Sequence, residues 1–383
     1  MKPHGKLGDM VFRNLFHNVF KNKTVFVTGH TGFQGSWLCL WLKVLGARVI
    51  GYSLEPPTEP SLFEILQLEK DVDHIIGDIR NEKKLLNAIA EHKPKFIFHL
   101  AAQSLVRQSY EKPIETFQTN ILGTANVLES LFHVDSVNVC VIMTSDKCYE
   151  NKSKNHICVE GDPMGGHDPY SASKGATELV TSSYRNSFFN KNNQKYNRVS
   201  IATVRAGNVI GGGDWAKDRI IPDCIRNLTT NKTIYVRDPP SIRPWQFVLE
   251  PLSGILLLAM KMLQEPHKFS EPWNFGPINF TNKVNVEQIV ELVIKEWNSG
   301  KWIDASGNFD ARYESASLIL DPSKAFNLLK WKTIYSLDET IHETILWYKK
   351  YFENKIEIKE YSIQQIKNYC KKAQEMNMVW ATN

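Results

Sequence analysis

Among 383 residues the chain has only six cysteines (Cys39, Cys140, Cys148, Cys158, Cys224 and Cys370), with no CxxC pair and no regular spacing. That argues against a disulfide framework and for reduced thiols in a cytoplasmic protein. No apolar run approaches the length of a membrane span. Between residues 1 and 22, Val11, Phe12, Leu15, Phe16, Val19 and Phe20 are broken up by polar and basic residues. There is no continuous apolar stretch and no small-residue cleavage site, so the stretch does not read as a signal peptide. It reads as an amphipathic lead-in that packs on the body or on a partner subunit. Charge of one sign is not in excess: 46 basic and 41 acidic residues give a formal +5. That balance suits a small anionic ligand and lends little to nucleic-acid binding. Repeats and low-complexity segments are absent. The expectation is a soluble, cytoplasmic globular protein without a membrane, nucleic-acid or metal partner.

What is present points to a large core. Apolar residues make up 42% and charged residues 23% of the chain, ordinary for a globular protein. Short, nearly all-apolar runs recur at Thr24–Thr28, Arg48–Tyr52, Val72–Ile76, Phe96–Leu100, Val139–Met143 and Ser200–Val204. Helical stretches lie between them at Ser36–Leu45, Glu82–Glu91, Glu115–Phe132 and Tyr170–Phe189. Such alternation predicts a parallel sheet covered on both faces, an α/β, Rossmann-like doubly wound fold. After Asn208 the alternation stops, which predicts a smaller mixed α/β C-terminal substrate domain. We place the dinucleotide-binding domain at 21–206, with a return segment near 246–270. The smaller domain takes 207–245 and 271–355, and 1–20 and 356–383 are terminal extensions. The Lys-rich stretch Lys349–Lys372 alternates charged and apolar residues and reads as a solvated helix.

The chemistry-bearing residues fall at strand ends, where ligands of such sheets bind. Gly29-His30-Thr31-Gly32-Phe33-Gln34-Gly35 sits between a strand and a helix, where glycines permit a tight turn and close approach to a pyrophosphate. The second strand ends at Ser53-Leu54-Glu55, where an acid for the adenosine ribose is common. No Arg pair follows to welcome a 2′-phosphate, so NAD is favoured over NADP. Ala101 and Ala102 are small enough to let a dinucleotide lie against the fourth strand's end. His99, inside an apolar run, reads as a satisfied core residue. Val139–Met143 leads straight into Thr144-Ser145-Asp146-Lys147. Tyr170 and Lys174 stand four apart on a helix and so share a face. An ammonium there lowers the phenol's pKa and suits it to take the proton of an alcohol losing hydride. A surface Tyr and Lys would be the plainer account, but the surrounding motifs argue against it. Ser241–Gln246, with Arg243 and Trp245, combines a cation, an aromatic ring and amides fit to hold a phosphate and a polar ligand.

GHTGFQGSWL from Gly29, GYSLEPPTEPSLF from Gly51, HLAAQSLVRQSY from His99 and TSDKCYEN from Thr144 carry a resemblance. So do YSASK from Tyr170, RAGNVIGGGDW from Arg205 and SIRPWQFVLEPLSG from Ser241. From Lys21 to Phe352 the chain resembles the extended short-chain dehydrogenase/reductases that act on nucleotide sugars, and among them the 4,6-dehydratases. The resemblance implies a hydro-lyase using NAD on a nucleotide hexose, CDP-D-glucose foremost. The reaction would run by C4 oxidation, C5/C6 elimination and hydride return to C6, giving the 4-dehydro-6-deoxy sugar and water.

The same resemblance implies cofactor contacts from Gly29, Thr31, Gly32, Phe33, Gln34, Gly35, Ser53, Asp78, Ile79, Leu100, Ala101, Ala102, Gln103, Asn120, Thr144, Tyr170 and Lys174. Asn120 would order the active-site helix through backbone contacts. Tyr170 would take the 4-hydroxyl proton, Lys174 would support it, and Ser145 would hydrogen-bond the same oxygen. Asp146 would protonate the departing 6-hydroxyl. Lys147 stands where related dTDP-glucose dehydratases carry a Glu as the C5 base; it is either a desolvated base or a stabiliser of the enolate. Ser104, Arg107, Asn208, Arg219 and Arg243 would hold the pyrophosphate and nucleoside. A homodimer or higher homo-oligomer is implied, through Glu115–Phe132 and Tyr170–Phe189. The alternatives are a dehydratase of another nucleotide sugar, a nucleotide-sugar 4-epimerase, or a non-catalytic NAD(H)-binding protein. Asp146-Lys147 argues against an epimerase, and the retained Tyr170 and Lys174 argue against a mere binder.

Overall fold

The computed structural model describes residues 11–150, 156–278, 283–308, 318–353 and 357–382. Residues 1–10 of the N-terminal extension, 151–155 of the dinucleotide-binding domain, 279–282, 309–317 and 354–355 of the smaller domain, and 356 and 383 of the C-terminal extension lie outside them. The strands are β1 Thr24–Thr28, β2 Arg48–Ser53, β3 Asp73–Ile76, β4 Phe96–His99, β5 Val139–Met143, β6 Ser200–Ala206 and β7 Pro272–Phe275. They form one parallel sheet in the order β7-β6-β5-β4-β1-β2-β3. The helices that matter to the site and its support are α1 Phe33–Val44, α2 Glu82–His92, α3 Gly123–Ser130, α4 Pro169–Ser187, α5 Leu249–Gln264, α6 Leu337–Glu353 and α7 Ile358–Glu375.

Successive strand side chains point to opposite faces, and here the two faces build two cores. Val25, Val27, Phe96, Phe98, Val139 and Val141 join Trp37 and Trp41 of α1 and Leu252 and Leu256 of α5. Phe26, Ile97, Cys140, Ile142 and Ile201 join Leu85 and Ile89 of α2 and Val127 and Leu128 of α3. A fully buried Val, Leu, Ile or Phe contributes about 1.5–3 kcal/mol. The continuous apolar runs therefore become central strands because both faces are covered. All six cysteines are buried and unpaired.

The expected α/β doubly wound sheet is present, with three differences of detail. The return to the sheet extends past residue 270, since Pro272–Phe275 pairs with β6. The stretch expected as one helix, Glu115–Phe132, is interrupted by a π-helical segment, Gln118–Leu122. The Lys-rich C-terminal stretch is not simply solvated. Ser362, Ile366, Tyr369, Cys370 and Ala373 of α7 form a buried face, and Tyr369 lies edge-on to Trp41 with ring centroids 5.8 Å apart. The lead-in packs on the body: Phe16 stacks on Trp380 at 4.9 Å and Phe20 lies against Phe96 at 5.0 Å. No described helix is long and apolar enough to cross a membrane.

Candidate active site

At the carboxyl end of β1 the backbone turns at Gly29, whose φ is +76°. A Cβ there would lie 2.6 Å from the Ala101 nitrogen, and one at Gly35 would lie 2.1 Å from the Gly29 oxygen. Only glycines allow the turn to close this tightly against the end of β4. Gly32 is the N-cap of α1, and no side chain caps that helix. Its first backbone N–H groups are therefore available to an anion, the arrangement that binds a dinucleotide pyrophosphate. Thr31 Oγ1 and Ser53 Oγ share a hydrogen bond of 2.9 Å, which fixes the turn to the end of β2. Asp78 is held by Arg80 at 2.6 Å. The Ile79 side chain occupies the space a Cβ on Gly123 would need. Residues expected to hold the cofactor thus line up from Gly29 past Ser53, Asp78 and Ile79, and this backbone cradle fits NAD.

His99 is a core residue, as expected. Its ring nitrogens meet Thr28 Oγ1 at 2.7 Å and Thr124 Oγ1 at 3.0 Å. Burial, with Lys174 nearby, lowers its pKa to about 3.

A cleft of about 320 Å³ opens beside the strand ends. Gln34, Leu100, Ala102, Ser104, Arg107, Thr144, Ser145, Asp146, Lys147, Tyr170, Lys174, Asn208, Arg219 and Arg243 all line it. Residues 145–148 leave the end of β5, with Asp146–Cys148 forming a single 3-10 turn. The Ser145 hydroxyl takes the Lys147 N–H at 3.2 Å and donates to Asp146 Oδ1 at 3.0 Å. Asp146 is 2% exposed. Its Oδ2 has no hydrogen-bond partner among the described residues, while the Lys147 ammonium stands 3.7 Å from Oδ1. Helix α4 begins at Pro169, capped by Asp168, whose Oδ1 accepts from Ser171 N at 2.9 Å. Tyr170 and Lys174 occupy its first turns and face the cleft.

The Tyr170 phenol is shifted upward, where the spacing to Lys174 predicts a lowered pKa. Burial pushes Tyr170 up to about 12, opposed chiefly by the hydrogen bond with Ser145. Burial also brings Lys174 down to about 8. Its ammonium donates to the Met143 carbonyl at 3.3 Å. Removing a charge from water disfavours the ionised form of both groups.

Asn120 sits in the π-helical segment. Its amide donates to Ser173 Oγ at 2.8 Å and to the Gln103 carbonyl at 3.0 Å, and its Oδ1 accepts from Gln103 N at 2.9 Å. Arg219 bridges Asp214 at 3.0 Å and Ser104 at 3.1 Å, and Arg107 approaches Asp218 at 3.8 Å. Asn208 is fixed by its backbone, accepting from Gln246 N at 3.0 Å. Arg243, 8% exposed, donates to the Ile242 carbonyl at 2.9 Å. Sequence reasoning missed Asp214, Tyr235, Arg237 and Asp238, which also line the cleft. Asp214 sits inside the quoted GGGDW stretch, but an acid in a glycine loop gave no reason to single it out.

A sheet with a glycine turn on β1, and a Ser-Tyr-Lys set at the end of β5 and the start of α4, defines a dinucleotide-dependent enzyme class. Residues 26–344 match the family model described as GDP-mannose 4,6 dehydratase. The chain is 51% identical over 335 residues to CDP-glucose 4,6-dehydratase of Salmonella typhimurium, covering 87% of this chain and 92% of that one. It is 25% identical over 348 residues to a dTDP-glucose 4,6-dehydratase of Xanthomonas campestris pv. campestris, covering 85% and 93%. Its fold is similar to that of dTDP-glucose 4,6-dehydratase from Bacillus anthracis in complex with NAD. There the TM-score is 0.70 and the identity 21%, over 86% of this chain and 98% of that one. The chain belongs to the GDP-mannose 4,6-dehydratase family, the nucleotide-sugar dehydratase branch that its motifs resemble.

Proposed function

We propose that the protein is an NAD-dependent hydro-lyase that converts CDP-D-glucose to CDP-4-dehydro-6-deoxy-D-glucose and water. The observation that carries this reading is the convergence of Ser145, Asp146, Lys147, Tyr170 and Lys174 on one cleft, with a buried Asp146 oxygen left without a partner. An acid in such a place is suited to protonating a leaving hydroxyl, and a 4-epimerase needs none. The 51% identity to the Salmonella enzyme supports CDP-glucose over other donors.

NAD, which the Gly29–Ser53 cradle would hold, would supply the hydride acceptor at C4 and the hydride donor at C6. Tyr170 takes the proton of the sugar 4-hydroxyl. Ser145 hydrogen-bonds that oxygen and steadies its developing charge. Lys174 holds a positive charge beside Tyr170. The 4-ketone acidifies the C5 proton; Lys147 either takes it or stabilises the enolate. Asp146 gives its proton to the C6 oxygen, which leaves as water. Arg219 and Arg243, with Arg107, Ser104 and Asn208, hold the pyrophosphate and nucleoside, the arginines by forked hydrogen bonds.

The division into a 21–206 cofactor domain and a smaller nucleotide-sugar domain belongs to the same proposal, as does a cytoplasmic location. So does a homodimer. Leu122, Leu179 and Phe188 are 57, 62 and 41% exposed on the two helices expected to pair, an apolar surface suited to a helix bundle. Proton NMR of the product tests the reaction. A new C6 methyl signal supports dehydration, and a sugar that keeps its hydroxymethyl group points to an epimerase.

A further inference from the structure

The segment that carries Ser145, Asp146 and Lys147 is tied at both ends to a single buried ion pair. Before it, Thr144 donates its hydroxyl to Glu178 Oε1 at 2.5 Å. After it, the Tyr149 hydroxyl accepts from Arg205 Nη1 at 2.7 Å and donates to Asn274 Oδ1 at 2.6 Å. Arg205 Nη2 and Glu178 Oε2 close the circuit at 2.8 Å. The Arg205 guanidinium also lies over the Tyr149 ring, 4.7 Å from its centroid. Thr203 donates to Glu178 Oε2 at 2.7 Å. Glu178 and Arg205 are 4% and 3% exposed.

A buried ion pair adds little net stability, since desolvating two charges offsets their attraction. What this one provides is geometry. Glu178 follows Lys174 by four residues and Tyr170 by eight, so all three lie on one face of α4. The helix that carries Tyr170 and Lys174 is held independently elsewhere. Asn120 grips Ser173, Ser109 Oγ accepts from Tyr170 N at 3.1 Å, and Asp168 caps the first turn. At its far end the 145–148 segment is held by backbone, the Cys148 carbonyl accepting from Gly165 N at 2.8 Å, and by the Tyr149 side chain, which ties it to the ion pair.

Resting on the reaction proposed above, we propose that Glu178, Arg205 and Tyr149 form a clasp that positions Asp146 and Lys147 for the elimination half of the reaction. In the first half, the 4-hydroxyl proton passes to Tyr170 and hydride from C4 reduces NAD, giving a 4-ketone and NADH. In the second, the C5 proton passes to a base at or beside Lys147, the C5–H electrons form the C5=C6 bond as the C6–O bond breaks, and the oxygen departs as water with the proton of Asp146; hydride from NADH then returns to C6 and a proton to C5. Loosening the clasp moves Asp146 and Lys147 and leaves Tyr170 in place. Oxidation then outruns elimination, and the ketone and NADH build up together.

Tyr149→Phe tests this, because it keeps the ring and removes both hydroxyl bonds. Single-turnover absorbance of NADH is followed beside product formation, with CDP-glucose as substrate and NAD present. The clasp predicts a transient NADH signal several-fold larger than in the wild type. It also predicts dehydration slower by about 10- to 100-fold, the range a displacement of about 1 Å produces, with KM and NAD affinity little changed. NADH and product formation falling by one common factor would reduce Tyr149 to a purely structural role and overturn the clasp; so would unchanged rates. Thr203→Val, which removes a hydroxyl bond to Glu178 and lies outside the cleft lining, is read in the same way should Tyr149→Phe not fold. A wild-type enzyme that leaves CDP-glucose intact would overturn the reaction itself, and the clasp with it.

Discussion

The Asn120 side-chain amide donates to Ser173 Oγ at 2.8 Å while its carbonyl oxygen accepts from Gln103 N at 2.9 Å. One side chain thereby fixes the helix of Tyr170 and Lys174 to the end of β4, where the cofactor cradle closes. Asn120→Ala would leave the buried Gln103 N–H without its partner, which costs about 1–3 kcal/mol. The expected outcome is a lower melting midpoint and a fall in kcat with NAD affinity also reduced. Isothermal titration with NAD beside steady-state kinetics measures both.

Tyr170→Phe should bind NAD and nucleotide sugar but lose roughly 10²- to 10⁴-fold in kcat, the range for removing a general acid–base. Lys174, brought down to about 8 by burial, carries its positive charge below that pH and loses it above. The Tyr170 phenolate fraction grows with pH up to about 12, so in the free enzyme kcat/KM should rise with pH and level off above about 8, where the Lys174 charge is lost. In Lys174→Arg, whose guanidinium stays charged, that levelling should disappear, at a lower rate throughout. A pH–rate profile of both enzymes checks the sign.

Gly35→Ala places a methyl group 2.1 Å from the Gly29 oxygen. The turn must open, and with it the N-terminus of α1 moves away from any pyrophosphate. NAD affinity should drop by at least about tenfold, equivalent to about 1.4 kcal/mol, as measured by fluorescence titration with NADH.

Glu250 on α5 is 1% exposed. It accepts from Ile334 N and Tyr335 N and from the Tyr369 hydroxyl, holding α7 and residues 334–335 to α5. Burial raises its pKa from 4.5 to about 7, against the lowering effect of those hydrogen bonds. Between those two values the folded state binds more protons than the unfolded one, so this carboxyl's contribution to stability declines as pH rises through that window. The span corresponds to on the order of 3 kcal/mol at most. Denaturant unfolding at pH 5 and pH 8 should show wild type losing stability relative to Glu250→Gln between the two.

The sheet was legible because its strands are apolar on both faces. Val25, Phe26 and Val27 announce a buried strand whichever side each residue takes. Pro272–Phe275 was harder: four residues with a Pro and an Asn show no strand pattern, and the segment joins the sheet only through pairing with β6. The face of α7 was hidden for a related reason. Its lysines dominate the composition, while Tyr369 and Cys370 find their core only when Trp41 and Trp380 arrive from distant segments. At the site, Ser145, Tyr170 and Lys174 could be read because the motif is local. Glu178 and Arg205 could not, since their partnership spans 27 residues and each alone resembles an ordinary surface charge. Spacing reports neighbours and says nothing of burial, which sets the direction of the Tyr170 shift.

The most direct measurement is the product mass after the purified protein and NAD are offered CDP-, dTDP-, GDP- and UDP-glucose in separate reactions. The account predicts loss of one water from CDP-glucose, with NAD regenerated and the other three donors unchanged or far slower. CDP-glucose recovered at its original mass, under conditions where NAD binds, would contradict it.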